Sequence, residues 1–328
     1  MPSMQKVRTA VIGGGNMGKN HLRNYFLLPE TDLLGLADIN PDTKKLADEY
    51  KAKFYTDYKQ MLDELQPEAV SVVVPTPFHI EVATEVMNRG IHCLLEKPIA
   101  STVKEADTLI NLAAKKGVVF TVGHIEHYNP VVRKLKKMVD AGKLGTITSI
   151  VAKRVGGFPA VEPKTDVIID LAVHDIGIIS FILGQQPKVI HSHGSRTHHS
   201  REVDAAEILM DYGHASGFVQ ANWLTPVKIR TIAITGSAGY VEGNYITQEL
   251  EYYEHNMHQV ADGFSNFVAG VGEPERSIIK VDFEEPLALE LKSFAAAIRG
   301  EKDVPLVSAQ EAREALYLAL ESVKAYKG

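Results

Sequence analysis

Asp170 and His174 are an acid and a base whose spacing could support proton transfer. They lie four residues apart in Asp170-Leu-Ala-Val-His174-Asp175, at the start of the predicted helix Leu171–Leu183. Residues four apart share one face of a helix. A neutral imidazole can accept the proton of an alcohol while a hydride leaves the same carbon, and a neighbouring carboxylate can orient it. An N-cap aspartate followed by a packed helix histidine would give the same pattern, so the pair alone leaves both interpretations open.

Lys97 supplies a cation at a position where ligands commonly bind. It follows the strand-like run His92–Leu95 in Glu96-Lys97-Pro98, and open α/β sheets bind ligands at the carboxyl ends of their strands. An ammonium there could hydrogen-bond a substrate hydroxyl and hold it near a nicotinamide ring. The alternative is a surface lysine beside a helix start. The proline that follows raises the question of a cis peptide bond.

A glycine-rich loop between the first predicted strand and helix fits the pyrophosphate of a dinucleotide. Gly13, Gly15 and Gly18 form the pattern G-x-G-x-x-G, and Asp38 ends the second strand 20 residues beyond Gly18. The first glycine allows a tight turn, the second lets the pyrophosphate approach the backbone, and the third lets helix and strand pack closely. The N-terminus of the following helix would face the anion.

Asp38 also bears on which dinucleotide binds. A carboxylate at the end of the second strand accepts hydrogen bonds from the ribose hydroxyls and repels a 2′-phosphate. The residues that follow, Ile39-Asn40-Pro41, contain no arginine that could hold such a phosphate. The sequence therefore predicts NAD rather than NADP.

The first 123 residues alternate strand-like and helix-like segments. Short apolar runs predict strands buried on both faces of a parallel sheet at Val7–Ile12, Leu33–Ala37, Val70–Val74, His92–Leu95 and Val118–Val122. Helices are predicted between them at Met17–Leu28, Pro41–Tyr50, Ile80–Asn88 and Val103–Lys116. This alternation indicates a doubly wound α/β domain over residues 1–123.

From residue 124 onward the pattern changes. Alternating segments predict strands at Thr146–Arg154, Lys188–Gly194, Ala206–Tyr212, Gly217–Trp223, Arg230–Thr235 and Gly239–Gly243. Helices are predicted at Tyr128–Val139, Leu171–Leu183, Leu287–Arg299 and Ala309–Lys324. We therefore expect a second, α+β domain over residues 124–328 with a largely antiparallel sheet, whose closing helices at 287–328 could pack back on the first domain.

Composition and charge exclude several classes of protein. The 328 residues are 45% hydrophobic and 23% charged, which excludes a disordered, collagen-like or disulfide-scaffold chain. Lys+Arg 35 against Asp+Glu 41 gives a net charge of −6, so no global basic field would hold a nucleic acid. The apolar run Val167–Leu183 is interrupted by charged residues, so no membrane span is predicted. A lone Cys93 and an N-terminus without an apolar signal core predict a reduced, cytoplasmic protein.

The motifs together resemble the Gfo/Idh/MocA family of oxidoreductases over essentially the whole chain. The segments that carry the resemblance are Gly13–Gly18, Val74–His79, Gly90–Pro98, His124–Pro130, Asp170 with His174, the tail Glu285-Pro286-Leu287…Glu290-Leu291…Phe294, and Val304–Ser308. The resemblance implies a Rossmann domain that binds NAD and a second domain with an open, mainly antiparallel sheet. Because that sheet often forms oligomer contacts in the family, we expect a homodimer or homotetramer. Two positions depart from the family pattern, Val74 in place of a threonine and Asp166-Val167 in place of a commoner glycine.

The resemblance also implies roles for individual residues. In the family, the residues that match Lys97, Asp170 and His174 form the catalytic group, with the histidine as acid and base. The implied cofactor contacts are Gly13, Gly15, Asn16, Met17, Gly18, Asp38, Pro75, Thr76, His79, Glu96 and Lys97. The implied substrate contacts are Lys97, His124, Tyr128, Arg154, Asp170 and His174.

The sequence indicates the substrate less clearly than the reaction. Three segments look like those of the nucleotide-sugar branch of the family: Arg154–Pro159, Val167–Asp175 and Asn222–Arg230. That branch oxidises the 3-hydroxyl of UDP-N-acetylglucosamine-type sugars. A cation such as Arg154 would suit a pyrophosphate-linked substrate. The alternative is that Arg154, Lys228 and Arg230 are solvated charges at a strand edge.

Several functions therefore compete. The leading function is an NAD-dependent dehydrogenase that oxidises a sugar, and a nucleotide sugar is the favoured substrate. Its rival within the same class is a dehydrogenase that oxidises inositol, another polyol or a free sugar. A rival from a different class is a binding protein that senses NAD without chemistry. Such a sensor has no need of Lys97, Asp170 and His174 together.

Two groups of histidines could suggest a metal, but neither has a recognised ligand spacing. They are His191 and His193 with His198 and His199, and His124 with Glu126 and His127. The first group is better explained as an exposed strand end and loop. The second is better explained as a domain junction close to the cofactor. No metal is predicted, and Trp223 is expected to pack rather than to stack on a ligand.

Overall fold

The apolar runs of the first part of the chain form a parallel sheet in the computed structural model, which describes residues 5–160, 163, 165–198, 202–255 and 275–327. Its six strands lie in the order β3-β2-β1-β4-β5-β6, with every pair parallel. The strands are β1 (Val7–Ile12), β2 (Thr31–Ala37), β3 (Lys53–Tyr55), β4 (Ala69–Val72), β5 (His92–Glu96) and β6 (Phe120–Gly123). This strand order is that of a dinucleotide-binding Rossmann fold.

Helices connect these strands. They are α1 (Asn16–Leu27), α2 (Lys44–Glu49), α3 (Tyr58–Leu65), α4 (His79–Asn88) and α5 (Val103–Lys116). Helix α5 illustrates how the sequence fixes their ends. Thr102 and Glu105 form a reciprocal capping box at its start, and Gly117 ends it with φ 64°, a conformation that glycine adopts without a Cβ penalty.

The second sheet has eight strands in the order β14-β13-β12-β11-β7-β10-β9-β8. The strands are β7 (Ile147–Val155), β8 (Val189–Ser195), β9 (Ala205–Asp211), β10 (Ser216–Asn222), β11 (Ile229–Gly236), β12 (Gly239–Asn244), β13 (Glu249–Glu254) and β14 (Arg276–Ile279). Neighbouring strands are antiparallel except for β7 and β10. The expected fold class, a Rossmann domain with a mainly antiparallel α+β domain, is confirmed.

Four further helices complete the described fold. They are α6 (Pro130–Asp140), α7 (Val173–Leu183), α8 (Pro286–Ile298) and α9 (Ala309–Lys327). A π-helical turn, Ile168–Ala172, leads directly into α7. None of the described helices is long and apolar enough to cross a membrane.

The described chain divides into two units. One unit runs to Tyr128 and takes in Glu284–Tyr317, and the other contains Asn129–Phe283 with the chain from Leu318 onward. In the first unit, α8 packs against α1 and against a 3-10 turn at Ile125–Tyr128. Its buried Leu287, Leu291 and Phe294 belong to the same apolar core as Val7 and Leu22.

The structure contains elements that the sequence patterns did not predict. They are β3, α3, β13, β14 and the π-helical turn before α7. The strands among them lie toward the outer ends of their sheets, where few neighbours enforce an apolar pattern. Strand β14, for example, is largely exposed.

Candidate active site

The loop between β1 and α1 has the shape that a dinucleotide requires. Gly13 has φ 106°, and a Cβ built there would lie 2.5 Å from the carbonyl oxygen of Val73. A Cβ at Gly18 would lie 1.9 Å from the carbonyl oxygen of Gly13. At Gly15, by contrast, no described atom lies within 4 Å of such a Cβ. The outer two glycines are therefore needed for packing, and the open space at Gly15 leaves room for a pyrophosphate to approach the backbone.

Asp38 is tied directly to this loop. Its Oδ2 accepts a hydrogen bond from the backbone N–H of Gly14 at 2.5 Å, and its Oδ1 accepts one from Asn40 at 2.7 Å. A side chain at Gly14 would lie 3.0 Å from the Cβ of Thr43. Gly14 was not among the cofactor contacts predicted from the sequence, although the run of three consecutive glycines at 13–15 was a signal for it. The carboxylate is thus fixed at the end of β2, and together with the open space at Gly15 it fits an NAD molecule.

His79 shapes the loops after β4 and β5. It is 1% exposed, with Nδ1 2.9 Å from the carbonyl oxygen of Pro98 and Nε2 2.9 Å from that of Val74. Burial lowers its pKa, against the effect of these carbonyl groups. Pro75 and Thr76 lie at the start of the turn that leads into His79. The ring of His79 therefore holds two loops at the carboxyl edge of the sheet, and its direct contact with a cofactor stays a prediction.

Glu96 lies in a buried polar network that sequence reasoning did not foresee. Its Oε1 lies 3.1 Å from His21 Nε2, and its Oε2 accepts a hydrogen bond from the backbone N–H of Lys97 at 3.1 Å. His21 Nδ1 lies 3.1 Å from the Ser71 hydroxyl, which lies 2.8 Å from the Tyr25 hydroxyl. Burial alone would raise the pKa of Glu96, but the hydrogen bond and charge of His21 and the charge of Lys97 lower it. An ionised Glu96 thus holds the backbone from which Lys97 extends, and the Lys97–Pro98 peptide is cis.

A second buried carboxyl group lies near Glu96. Glu290 on α8 is fully buried, and neither carboxylate oxygen has a hydrogen-bond partner among the described residues. Burial, together with the charge of Glu96, raises its pKa well above the usual range of a glutamate. Burial therefore favours the protonated form of Glu290, beside an ionised Glu96.

His124 and Tyr128 lie after β6 and are buried. His124 is 1% exposed, and burial together with the charges of His127 and Lys97 lowers its pKa to about 3. Its imidazole is therefore neutral near pH 7. The Tyr128 hydroxyl accepts a hydrogen bond from the backbone N–H of Val307 at 3.1 Å. Contact of either residue with a substrate stays a prediction.

Asp170 and His174 lie on neighbouring turns in the second unit. Asp170 belongs to the π-helical turn Ile168–Ala172, and His174 lies in the first turn of α7 and is 8% exposed. π-helical turns inside helices are rare and often occur at functional sites. Lys97 belongs to the first unit. The chemical roles of all three side chains stay predictions.

The interpretation of Arg154 as a solvated strand-edge charge is wrong. The residue is 4% exposed, and its Nε and Nη2 donate to Oδ2 and Oδ1 of Asp175 at 2.6 and 3.1 Å. Its guanidinium carbon lies 5.4 Å from the centre of the Tyr245 ring. Arg230, by contrast, is partly buried and donates to the backbone carbonyl groups of Val155 and Ile229. The positive charge of Arg154 is therefore paired with a carboxylate inside the protein.

The weaker sequence signals have simple structural explanations. His191 and His193 alternate on β8 and are exposed, whereas His199 lies outside the described residues. Within the described parts of the chain, no three His, Cys, Asp or Glu residues are grouped so that they could hold a metal ion. Trp223 is 3% exposed and meets the Phe158 ring edge-on at 6.2 Å, so the prediction that it packs is confirmed.

Comparisons with known proteins agree with this geometry. The GFO/IDH/MocA family model described as an oxidoreductase family with an NAD-binding Rossmann fold matches residues 7–124. The model of the GFO/IDH/MocA C-terminal domain matches residues 132–242.

Individual relatives extend over nearly the whole chain. UDP-N-acetylglucosamine 3-dehydrogenase of Acidithiobacillus ferrooxidans is 27% identical over 92% of this chain and 91% of its own. Its solved structure superposes with a TM-score of 0.87 at 26% identity, covering 98% of each chain. A scyllo-inositol 2-dehydrogenase (NAD(+)) of Bacillus subtilis is 24% identical over 98% of this chain and 94% of its own.

Proposed function

The chain belongs to the GFO/IDH/MocA family of NAD-binding oxidoreductases, and from this premise we propose that it oxidises a secondary hydroxyl group of a sugar. The sugar we propose is a nucleotide sugar of the UDP-N-acetylglucosamine type, oxidised at C3. The observation that carries the proposed reaction is the glycine loop, where Gly13 and Gly18 are sterically required and Gly15 leaves space for a pyrophosphate.

The proposed roles follow from the chemistry of alcohol oxidation. The bound nicotinamide ring supplies the acceptor for the hydride. His174 accepts the hydroxyl proton, and Asp170 orients and polarises its imidazole. Lys97 donates a hydrogen bond to the substrate oxygen and holds it in position. The ionised Glu96 supports this role, because its carboxylate accepts the backbone N–H of Lys97. A base in this position is worth on the order of 10²–10⁴ in rate.

Similarity favours the nucleotide sugar over a polyol. The relative named as a UDP-N-acetylglucosamine 3-dehydrogenase is 27% identical over 92% of this chain, and the relative named as a scyllo-inositol dehydrogenase is 24% identical over 98%. The difference is small, so an inositol or free-sugar dehydrogenase is the second candidate. A protein that only senses NAD is disfavoured, because it would not need Lys97, Asp170 and His174.

A substrate panel tests the proposal. UDP-sugars, free sugars and inositols are each mixed with the enzyme and NAD, and formation of NADH is followed by absorbance. We expect turnover of a UDP-N-acetylhexosamine or its uronic acid. Efficient oxidation of free inositol or glucose, with no binding of any UDP-sugar, would replace this proposal with the polyol alternative.

Four variants test the chemistry on the best substrate. His174→Ala should lower kcat on the order of 10²–10⁴-fold while NAD binding stays nearly unchanged. Asp170→Asn should have a smaller effect of the same kind, and Lys97→Ala should reduce both turnover and substrate affinity. The matched control is His191→Ala, which removes an exposed histidine on β8. Turnover by His174→Ala within a few-fold of the wild type would make His174 a structural residue.

We further propose that the protein forms a homodimer or homotetramer through the outer face of its second sheet. Helix α7 packs on β7 and β10. On the outward face, four side chains form one row across four strands: Ala233, Val151, Phe218 and Leu209. Val151 is 44% and Leu209 is 43% exposed. A second copy of the same row would bury this apolar strip, as expected of a symmetric interface.

The cytoplasmic location stays part of the proposal. Cys93, the single cysteine of the chain, is buried, and burial raises the pKa of its thiol. A thiol of this kind is unreactive. It is compatible with a reducing compartment, and an antibody or fluorescent fusion in fractionated cells would test the location.

A further inference from the structure

Arg154 and Asp175 form a deeply buried ion pair in the second unit. The side chains are 5% and 0% exposed, and two hydrogen bonds join the guanidinium group to the carboxylate. Arg154 lies on β7, and Asp175 lies in the first turn of α7, next to His174. A bidentate contact of this kind fixes orientation as well as distance.

Helix α7 needs a directional contact because apolar packing does not give it one. In Val173–Leu183 the polar side chains are His174, Asp175 and Ser180, and buried residues occur on every side of the helix. Burial of apolar surface is non-directional. Burial of apolar surface alone therefore does not specify the rotation of a helix that is hydrophobic all round. Buried polar contacts can select one arrangement among such alternatives.

The polar contacts of α7 lie near both of its ends. Asp175 binds Arg154 near its start, and Ser180 lies 3.0 Å from the Tyr212 hydroxyl, just beyond β9, near its end. The first of these contacts is charged and bidentate, and it is adjacent in sequence to His174. A rotation of α7 that broke it would turn the imidazole by the same angle.

Resting on the proposed function, we propose that Arg154 and Asp175 are positioning residues that set the rotation and axial position of α7 and thereby aim the His174 imidazole. Arg154 then acts through Asp175 and does not bind the diphosphate of the substrate. This assignment replaces the role as a substrate contact that the sequence implied for Arg154.

The decisive variant replaces both partners with apolar residues, Arg154→Met with Asp175→Leu. Apolar replacement of a buried ion pair often preserves folding, whereas removal of one partner leaves an unpaired buried charge. The double variant also removes one positive and one negative charge together, so its effect on His174 reports geometry rather than net charge. The second variant is Arg154→Lys, which keeps the positive charge but loses the two parallel N–H donors of the guanidinium group.

The first readout needs no substrate. In protein with isotope-labelled histidine, the ring resonances of His174 are assigned by their loss in His174→Ala and then titrated with pH. We expect the double variant to broaden, split or shift these resonances, and Arg154→Lys to have a smaller effect of the same kind. Arg276→Lys is the matched control, because it alters an exposed arginine–glutamate pair on β14 and β13.

The second readout is the split between kcat and KM on the best substrate. We expect kcat to fall on the order of 10- to 100-fold with little change in KM, as for a misplaced catalytic group. A wild-type His174 spectrum with a wild-type kcat in the double variant would overturn the proposal. So would a rise in KM in Arg154→Lys confined to substrates that carry a diphosphate, since Arg154 would then be a substrate contact. If no sugar is oxidised by the wild type, the proposed function fails, and the spectra still decide whether the pair positions His174.

Discussion

At the scale of single residues, burial gives identical side chains different protonation states. Glu96 is ionised because His21 and Lys97 outweigh the cost of its burial, whereas burial favours the protonated form of Glu290 nearby. His124 is likewise neutral, with a pKa lowered to about 3. Pairs of titratable groups whose pKa values are pushed apart are typical of sites that transfer protons. In the first unit, an ionised Glu96 is therefore hydrogen-bonded to the backbone of Lys97, and the neutral imidazole of His124 lies within the range of the Lys97 charge.

The low pKa of His124 predicts that this residue does not shape the pH profile near neutrality. Because His124 stays neutral above about pH 3, its titration cannot produce a limb of kcat/KM near neutrality. That limb should therefore belong to a group other than His124. We expect His124→Asn to keep the position of the acid limb, even if its rate is lower. A limb that disappears in His124→Asn and persists in Asp170→Asn would contradict this assignment.

Asp38 predicts the choice of cofactor. Its carboxylate is fixed by the N–H groups of Gly14 and Asn40 at the end of β2, where it would meet the 2′-phosphate of NADP with like charge. Calorimetry should therefore give a lower Kd for NAD than for NADP. Asp38→Ser combined with Ile39→Arg, at a position that is 92% exposed, should reduce or reverse the preference. Equal or tighter binding of NADP by the wild type would refute the assignment.

At the scale of helices and strands, the sequence predicts what local patterns determine. Strand β1 and helix α5 have the predicted bounds, because an apolar run and a capping box mark their ends. Strand β3 has only three residues, and its identity depends on pairing with β2 rather than on its own pattern. The π-helical turn before α7 likewise leaves no periodic signature.

The same distinction applies to the candidate site. Lys97, Asp170 and His174 could be named from residue type and local spacing. The pairing of His21 with Glu96 joins residues 75 apart, and that of Arg154 with Asp175 joins residues 21 apart on a strand and a helix. Such contacts depend on how elements pack, so the charged residues could be named from the sequence but their partners could not.

The packing of α8 on α1 yields a prediction about stability. In the folded protein the pKa of Glu290 is raised above its value in the unfolded chain. The unfolded chain therefore loses this proton at a lower pH, and the contribution of Glu290 to stability decreases as the pH rises above about 4.5 toward its folded pKa. Glu290→Gln keeps a neutral side chain at every pH. We expect its melting temperature to exceed that of the wild type by more at pH 8.5 than at pH 5.

A difference in melting temperature that does not change with pH would mean that Glu290 is ionised in the folded protein as it is in the unfolded chain, so that its folded pKa is not raised. Glu285→Gln is the matched control, because Glu285 lies at the start of the same helix and is partly exposed, with Arg23 and Asn24 as partners.

At the scale of the whole molecule, the outer face of the eight-stranded sheet predicts self-association. The row Ala233, Val151, Phe218 and Leu209 is flanked by polar rows that include Lys153 and Gln220 on one side and Ser149 and Ser216 on the other. An apolar strip with a polar border is typical of interfaces.

A charge placed in the strip should therefore disrupt the oligomer. In a symmetric interface each substitution is present on both copies, so Leu209→Asp or Val151→Asp would bury unpaired carboxylates in both partners. We expect either variant to shift sedimentation toward the monomer at micromolar concentration. Leu27→Asp, which charges a leucine that is 65% exposed on α1, should leave sedimentation unchanged.

Because the row lies on the surface and not in the core, the strip variants should unfold at nearly the wild-type temperature once the loss of the partner is taken into account. A wild-type sedimentation profile in both strip variants would show that another surface forms the oligomer, and a monomeric wild type would show that the strip has no partner of this kind.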